Sequence, residues 1–588
     1  MKWQVKPKAP VIFFKQFPEY SHLVGQLLYN RGLKTQKQID EFFNPDFLED
    51  FHDPFLLKGM KKAVGRIQKA IARKEKILIY GDFDADGVCA TAILFLTLKS
   101  LGVKNIATYI PDREKENHGL NEESIKYLAK TGAKLIITVD CASRDLAQVD
   151  LANSLGLDVI VTDHHELGKK LPATVALINP FRKDEKYPFR YLAGAGVAYK
   201  LAWALLSTRE NKSLNSLKKW LLDLVALATV TDVMPLVGEN RTLVKYGLGV
   251  LAQTRWLGLQ ELMKIAQVDI KIGQPISIGQ APPTNLDVYT LGYILGPRLN
   301  AAGRIDHANN AFRLLITRDR KEAKELAERL NQNNLTRQNL TDKIVQEVIN
   351  RLEKKITQKE SPKLIFEGSP DWPVGLIGLT AGKIAERYCR PTFIYQEKKG
   401  RIFVSGRTIP QFDLIKAIKK SAHLLDNFGG HKKAAGFQMK KDNLEKVKKI
   451  LYQLAEEKLK EEDFVPQIDI DLELSLEDIS WPNYESIQKF APFGQGNHQP
   501  IFLINKLEIK DVRIVGHNGK HLKMELMIFD EQSNRGKNFK AIGFNLGSWQ
   551  EKLKAGDAVD IVFELIADEW NGYRDLQLKI IDIKISVV

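Results

Sequence analysis

Three aspartates within five residues, Asp82-Phe-Asp-Ala-Asp86, follow the apolar run Ile77-Leu-Ile-Tyr80 and precede a helical pattern rich in alanine, threonine and leucine. A short apolar run bounded by charge predicts a buried strand, and the segment after Gly87 predicts a helix packed behind it. The acids then stand at the carboxyl end of a strand, where ligands bind in open α/β sheets. Ionised carboxylates wedged between apolar elements are costly unless something positive offsets them. A capped turn would use one such acid on helix N–H groups. Three at this spacing point to a divalent cation.

The chain beyond repeats that grammar. Apolar runs at 105–110, 135–140, 158–162 and 175–178 alternate with helical patterns, which predicts a mostly parallel sheet. One run finishes on Asp140 and another on Asp163, His164 and His165, while a Leu/Ala-rich helix over 221–230 delivers Asp232 just before Met234-Pro235, with the proline ending the helix. Carboxylates with one or two imidazoles and no thiolate favour Mn²⁺, then Mg²⁺, over zinc. The acids are too many for one ion. Two ions about 3.5–4 Å apart, sharing a carboxylate, would activate a water against a phosphoester or phosphoanhydride.

The formal net charge of +15 points to a polyanionic partner, nucleic acid before acidic membrane. At 588 residues the chain should divide into several domains. No apolar run approaches the roughly 18 residues of a membrane span, and the opening Met-Lys-Trp-Gln-Val-Lys lacks a signal-peptide core, so a cytoplasmic, non-membrane address is expected. Cys89, Cys141 and Cys389 are far apart in apolar surroundings and read as free thiols.

The remaining segments suggest a wrapping arm over 1–59, the acid-bearing domain over 60–310, a linking helix over 311–361 and a second α/β lobe over 362–462. Arg298 and Arg304 flank Asn300 in a Gly/Ala-rich stretch suited to phosphate recognition. In the second lobe, glycine turns beside Ser405, Arg407 and His431 could present donors to an anion. From 463 to 588 period-two hydrophobicity with Gly/Asn turns predicts a five-stranded β-barrel of the OB type, with Trp570 and Tyr573 as candidate stacking residues for single strands.

Several motifs carry a family resemblance. Asp82-Phe-Asp-Ala-Asp-Gly87, Thr162-Asp-His-His165, Gly296-Pro-Arg-Leu-Asn-Ala-Ala-Gly-Arg304, Ser405-Gly-Arg407, Gly429-Gly-His431 and Phe493-Gly-Gln-Gly-Asn497 resemble the DHH phosphoesterase superfamily and, within it, the RecJ family of single-strand-specific exonucleases. The resemblance implies an α/β fold: a DHH-type parallel-sheet domain joined by a long helix to a DHHA1-type α/β domain, with a C-terminal OB-fold. It implies metal contact by Asp84, Asp86, Asp140, His164 and Asp232, with Asp140 bridging two divalent cations, Mn²⁺ or Mg²⁺. Asp82 and His165 would lie in or beside that shell, His165 bonding the scissile phosphate, and Asp163 would orient a ligand. Arg113, Ser405 and Arg407 would grip a 5′ phosphate. The activity implied is 5′-to-3′ hydrolysis of single-stranded DNA to 5′-mononucleotides in DNA repair and recombination, by a monomer that could meet a single-strand-binding protein and a helicase. Two other functions remain open: a phosphodiesterase of short oligonucleotides or cyclic dinucleotides, and a non-catalytic DNA-binding replication scaffold. Three positions depart from the family pattern. Tyr80 stands where related phosphatases carry a ligating histidine, His118 where a tyrosine usually precedes the glycine, and Ala142 where glycine usually follows the cysteine.

Overall fold

The computed structural model describes residues 1–588 except 117, 210, 272–283, 358–361, 517–518, 531–534, 571–572 and 587–588. The chain forms two compact units, one of residues 46–464 and one that joins residues 1–45 to residues 465–588.

In the first unit the strands Lys76–Tyr80, Ile106–Tyr109, Ala133–Val139, Asp158–Thr162 and Ala176–Ile178 make an all-parallel sheet. Taken in chain order the sheet runs 2-1-3-4-5, so the direction of winding reverses between Lys76–Tyr80 and Ala133–Val139. Such a switch point opens a crevice at the carboxyl ends of the two strands. These strands are aliphatic along their length because helices cover both faces. The helix Ala85–Ser100 is buried nearly all round, against the sheet and against the helices Gly194–Leu206 and Leu222–Thr231. That burial explains its small, apolar composition.

The expected linking helix over 311–361 is two elements, Asn309–Ile316 and a 38-residue helix Arg320–Thr357, because Thr317 turns extended between them. The second lobe places its strands in the order Asn427–Gly430, Ala434–Lys440, Arg401–Arg407, Thr392–Lys398, Ile365–Gly368. Gly429 thus lies in an edge strand rather than a turn, and the turn falls between Gly430 and Ala434.

The second unit corrects the single arm expected over 1–59. That stretch divides near Pro45, and only residues 46–59 belong with the acid-bearing domain. Lys2–Val5 pairs in parallel with Gln467–Ile470, and Phe13, Leu27, Leu28 and Phe42 share one core with Phe502 and Phe563 of the barrel. The barrel closes where Phe502–Val515 pairs with Ala558–Trp570, leaving no open edge between them. Asn497 of the tail motif is a joint. Its amide donates to the carbonyls of Phe490 and Pro492, and its carbonyl accepts from Arg31 Nε at 2.8 Å. Among the described residues no helix is long and apolar enough to cross a membrane.

Candidate metal centre

Both strands at the switch point end in acids. Asp84 caps the helix Ala85–Ser100, its Oδ1 accepting from the backbone N–H of Asp86 and Gly87 at 3.0 and 3.1 Å. Asp86 reaches a different helix: its carboxylate accepts from Gly194 N and Ala195 N, both at 2.7 Å, at the start of Gly194–Leu206. A helix N-terminus suits an anion. Gly194 has to be glycine, since a Cβ there would lie 2.6 Å from Asp140 Oδ1. Asn300 Oδ1 accepts from Ala85 N at 2.9 Å, so this residue, expected to meet phosphate, holds the aspartate loop in place.

Across the crevice, Asp140 follows its strand with φ +62, a left-handed conformation that aspartate tolerates better than most residues. Asp163 is buried and accepts from the backbone N–H of Ser143, His164 and His165 and from His165 Nδ1 at 2.8 Å. It therefore orients the two histidines. His164 Nε2 lies 3.1 Å from Asp140 Oδ1, 3.5 Å from Asp232 Oδ2 and 3.6 Å from Asp86 Oδ2. Asp232 arrives just past the helix Leu222–Thr231. The stop comes from Val233, not Pro235: Val233 takes φ +57, and Met234 N donates to Thr229 O while Val233 N donates to Val230 O. This closing pair of bonds normally has glycine at the left-handed position.

Two residues beside the site are thus strained, Val233 and Ala142, the latter at φ +80. Ala142 is the position where the family pattern has glycine. Ala142→Gly and Val233→Gly are each expected to raise stability by about 1 kcal/mol, the left-handed penalty less the added chain entropy of glycine. Chemical denaturation of the metal-free protein measures it, and a loss of stability at both positions would refute the strain.

Three overlapping groups result: Asp82, Asp84 and Asp140; Asp86, His164 and Asp232; and Asp140, His164 and His165, each with ligand atoms within 4.8 Å of one another. Asp140 belongs to two of them. Burial, and then repulsion by neighbouring acids, raises the pKa of Asp84, Asp140 and Asp232, and that of Asp86 to about 7. Burial, reinforced by His165, pushes His164 down to about 4, which leaves its imidazole neutral and able to ligate. Among the described residues, the buried Oδ1 atoms of Asp82 and Asp140 accept no aligned hydrogen bond. Orphaned buried carboxylate oxygens facing one another beside a neutral imidazole fit divalent cations.

The guanidinium groups lie beside this centre. Arg113 sits over the Phe83 ring at 4.8 Å, and burial lowers its pKa against the pull of Asp82 and Asp84. Burial, then Arg113 and Arg337, with Arg407 further adding, brings Arg304 to about 9. Like charges held together in a desolvated place call for an anion between them. Arg337, on the long helix, was not foreseen: its Nε is buried without a partner among the described residues. Nothing in that polar helical pattern sets it apart from its charged neighbours. Arg407 Nη1 donates to Ser405 Oγ at 3.3 Å and to Gly406 O. Arg298, by contrast, is spent on Ile294 O and Asn331 and ties its helix to the long one. His431 lies 3.9 Å from Glu166 on the exposed side of the second lobe. Trp570 and Tyr573 pair across a hairpin, and their side chains lie outside the described residues.

Comparison with known proteins follows this division. Residues 76–229 match the DHH family N-terminal domain, residues 361–459 the DHHA1 domain and residues 470–582 the RecJ OB domain. The chain is 37% identical to the single-stranded-DNA-specific exonuclease RecJ of Bacillus subtilis over 100% of its own length and 71% of that protein, and 32% identical to that of Escherichia coli over 96% of each. The crystal structure of RecJ with Mn²⁺ from Thermus thermophilus superposes with a TM-score of 0.81 at 26% identity, covering 100% of this chain and 80% of that one. A Mg²⁺ complex of the same protein superposes with a TM-score of 0.74. With its DHH, DHHA1 and OB domains in the same order, the chain belongs to the RecJ family.

Proposed function

We propose that this protein is a metal-dependent exonuclease that hydrolyses single-stranded DNA from the 5′ end and releases 5′-mononucleotides. The observation that carries the reading is the pairing of a carboxylate–imidazole centre, with orphaned oxygens on Asp82 and Asp140, with a partly desolvated guanidinium cluster in the same unit. Asp84, Asp86, Asp140, His164 and Asp232, with Asp82 in or beside the same shell, would hold two divalent cations, Asp140 being common to two of the ligand groups, and the oxygen-rich set with one imidazole favours Mn²⁺ and admits Mg²⁺. Cations bound there supply Lewis acidity to a water and to the phosphate.

The chain's own groups do the rest. Asp163 keeps Nδ1 of His165 engaged, and although burial opposes charge, that bond raises the His165 pKa. His165 then acts as a hydrogen-bond donor to the scissile phosphate and to the leaving 3′ oxygen. Arg113, Arg304, Arg407 and Ser405 receive the terminal 5′ phosphate, which sets both polarity and the length of the product. The barrel gathers the strand by charge and stacking. The protein works as a cytoplasmic monomer in DNA repair and recombination, where single-strand-binding protein and a helicase would present its substrate.

Incubation with Mn²⁺ and 5′-labelled or 3′-labelled single strands, beside duplex and RNA, tests this. Labelled mononucleotide should appear at once from the 5′-labelled strand, and the 3′ label should shorten progressively. Cleavage confined to dinucleotides, or none at all with DNA still bound, would replace the reading with a short-oligonucleotide phosphodiesterase or a scaffold.

A further inference from the structure

Tyr80 ends the first strand with its ring buried and its hydroxyl donating to Gly119 O at 3.0 Å. That strand therefore offers no imidazole to the crevice. Of the three groups, Asp86, His164 and Asp232, like Asp140, His164 and His165, include a nitrogen ligand, whereas Asp82, Asp84 and Asp140 offer oxygen alone. An imidazole nonetheless stands beside this last group. His118, in the loop that follows Arg113, places Nδ1 3.1 Å from Asp82 Oδ1, the buried oxygen that accepts no aligned hydrogen bond.

The distance is informative. Adjacent ligands of an octahedral ion with bonds of about 2.1 Å stand about 3 Å apart, and the His164–Asp140 pair shows the same 3.1 Å separation. Without a cation the same two atoms pair by charge: although burial opposes it, Asp82 raises the His118 pKa to about 9, so the ring is held at Asp82 as an ion pair that a cation would displace. The loop is fixed on its far side, where Leu120 N donates to Asp145 Oδ2 at 2.7 Å and Gly119 takes φ +90 against the same carboxylate. The ring meets His165 edge-on at 5.1 Å and Phe83 at 6.5 Å. It approaches Asp82 alone of the three acids and is 46% exposed, so it is not wedged into the core.

We infer that His118 is a ligand, through Nδ1, of the cation held by Asp82, Asp84 and Asp140, and that it supplies from a loop the nitrogen that Tyr80 withholds from the strand. The inference rests on the two-cation reading above. It makes the identity of this side chain matter, because a phenol at the position would stack without ligating.

His118→Tyr, which keeps an aromatic ring, and His118→Gln test it in the full-length protein, with metal-free melting temperatures confirming that both variants fold. Calorimetric titration with Mn²⁺ should show two binding steps in the unaltered protein, one of them weakened about 10- to 100-fold in both variants and the other within about twofold. Spin-echo spectra of the Mn²⁺-loaded protein should lose one coupled nitrogen. His164→Ala should weaken the other step. Two unchanged steps and an unchanged nitrogen count in both variants would overturn the assignment while leaving the metal centre standing. No Mn²⁺ binding by the unaltered protein would remove the metal centre and His118 with it.

Discussion

Asp140→Asn is expected to lower kcat on single-stranded DNA by at least about 10³-fold and, at the same time, to make the metal-free protein more stable. Both effects come from one carboxylate. Asp140 is shared by two of the three ligand groups, so on the two-cation proposal its loss would weaken the hold on both. Its pKa is raised by burial and then by Asp86, Asp84, Asp82 and Asp232, which means that its charge is a burden to the folded chain until a cation arrives. Asparagine keeps the shape and tolerates φ +62, so the fold survives and DNA binding stays. Gain in stability should be on the order of 1 kcal/mol or more.

The pH dependence carries the same sign. A carboxyl whose folded pKa exceeds its unfolded value binds more protons in the native state, so its stability is present below the unfolded value and is lost as pH rises through the folded one. Asp86, at about 7 against an ordinary 3.8, places that loss between about pH 4 and 7. The melting temperature in chelator should therefore fall over this window, and Mn²⁺ should restore it. A metal-free protein that became more stable from pH 5 to 7, with Asp140→Asn less stable than the parent, would contradict the account.

Much of the site is legible in the sequence because its ligands sit in short motifs at strand ends. The spacing of Asp82, Asp84 and Asp86, and the run from Thr162 to His165, place their side chains without knowledge of the rest. What was not legible depends on backbone groups or on distance along the chain. The donors to Asp86 are the amides of Gly194 and Ala195, 108 and 109 residues away, and an amide leaves no mark in composition. Asn300 reads as a phosphate contact, and its Oδ1 in addition anchors Ala85 N, a role that only the fold reveals. The helix before Asp232 stops at a left-handed valine that no propensity favours, so the proline beyond it drew the inference instead. Residues 1–45 join the unit that holds the barrel through a two-stranded parallel pairing 465 residues apart, a contact that local pattern cannot register. Arg337 hid among the charges of a long helix for the same reason: exposure, not residue type, separates it from them.

The second large effect concerns the guanidinium cluster. Arg407→Ala should reduce kcat/KM on a 5′-phosphorylated single strand by about 10- to 100-fold, the worth of one or two charge-assisted bonds to phosphate. A strand ending in a 5′ hydroxyl should be cleaved by the variant nearly as well as by the parent. The reason lies in how the cluster is balanced without substrate. Arg407 lies among Arg113, Arg304 and Arg337 in a place where burial already disfavours charge, and Arg304 is brought to about 9 partly by these neighbours. A phosphate dianion relieves that repulsion as it binds, so part of its affinity is stored in the free protein. It follows that inorganic phosphate should raise the melting temperature of the parent more than that of Arg407→Ala, and that the metal-free, phosphate-free variant should melt no lower than the parent. Arg407→Lys should recover little, because Arg407 reaches Ser405 Oγ while presenting a second nitrogen, which a single ammonium cannot imitate. An equal loss on phosphorylated and unphosphorylated strands would mean that Arg407 only shapes the second lobe, and the 5′ end would then have to be recognised elsewhere.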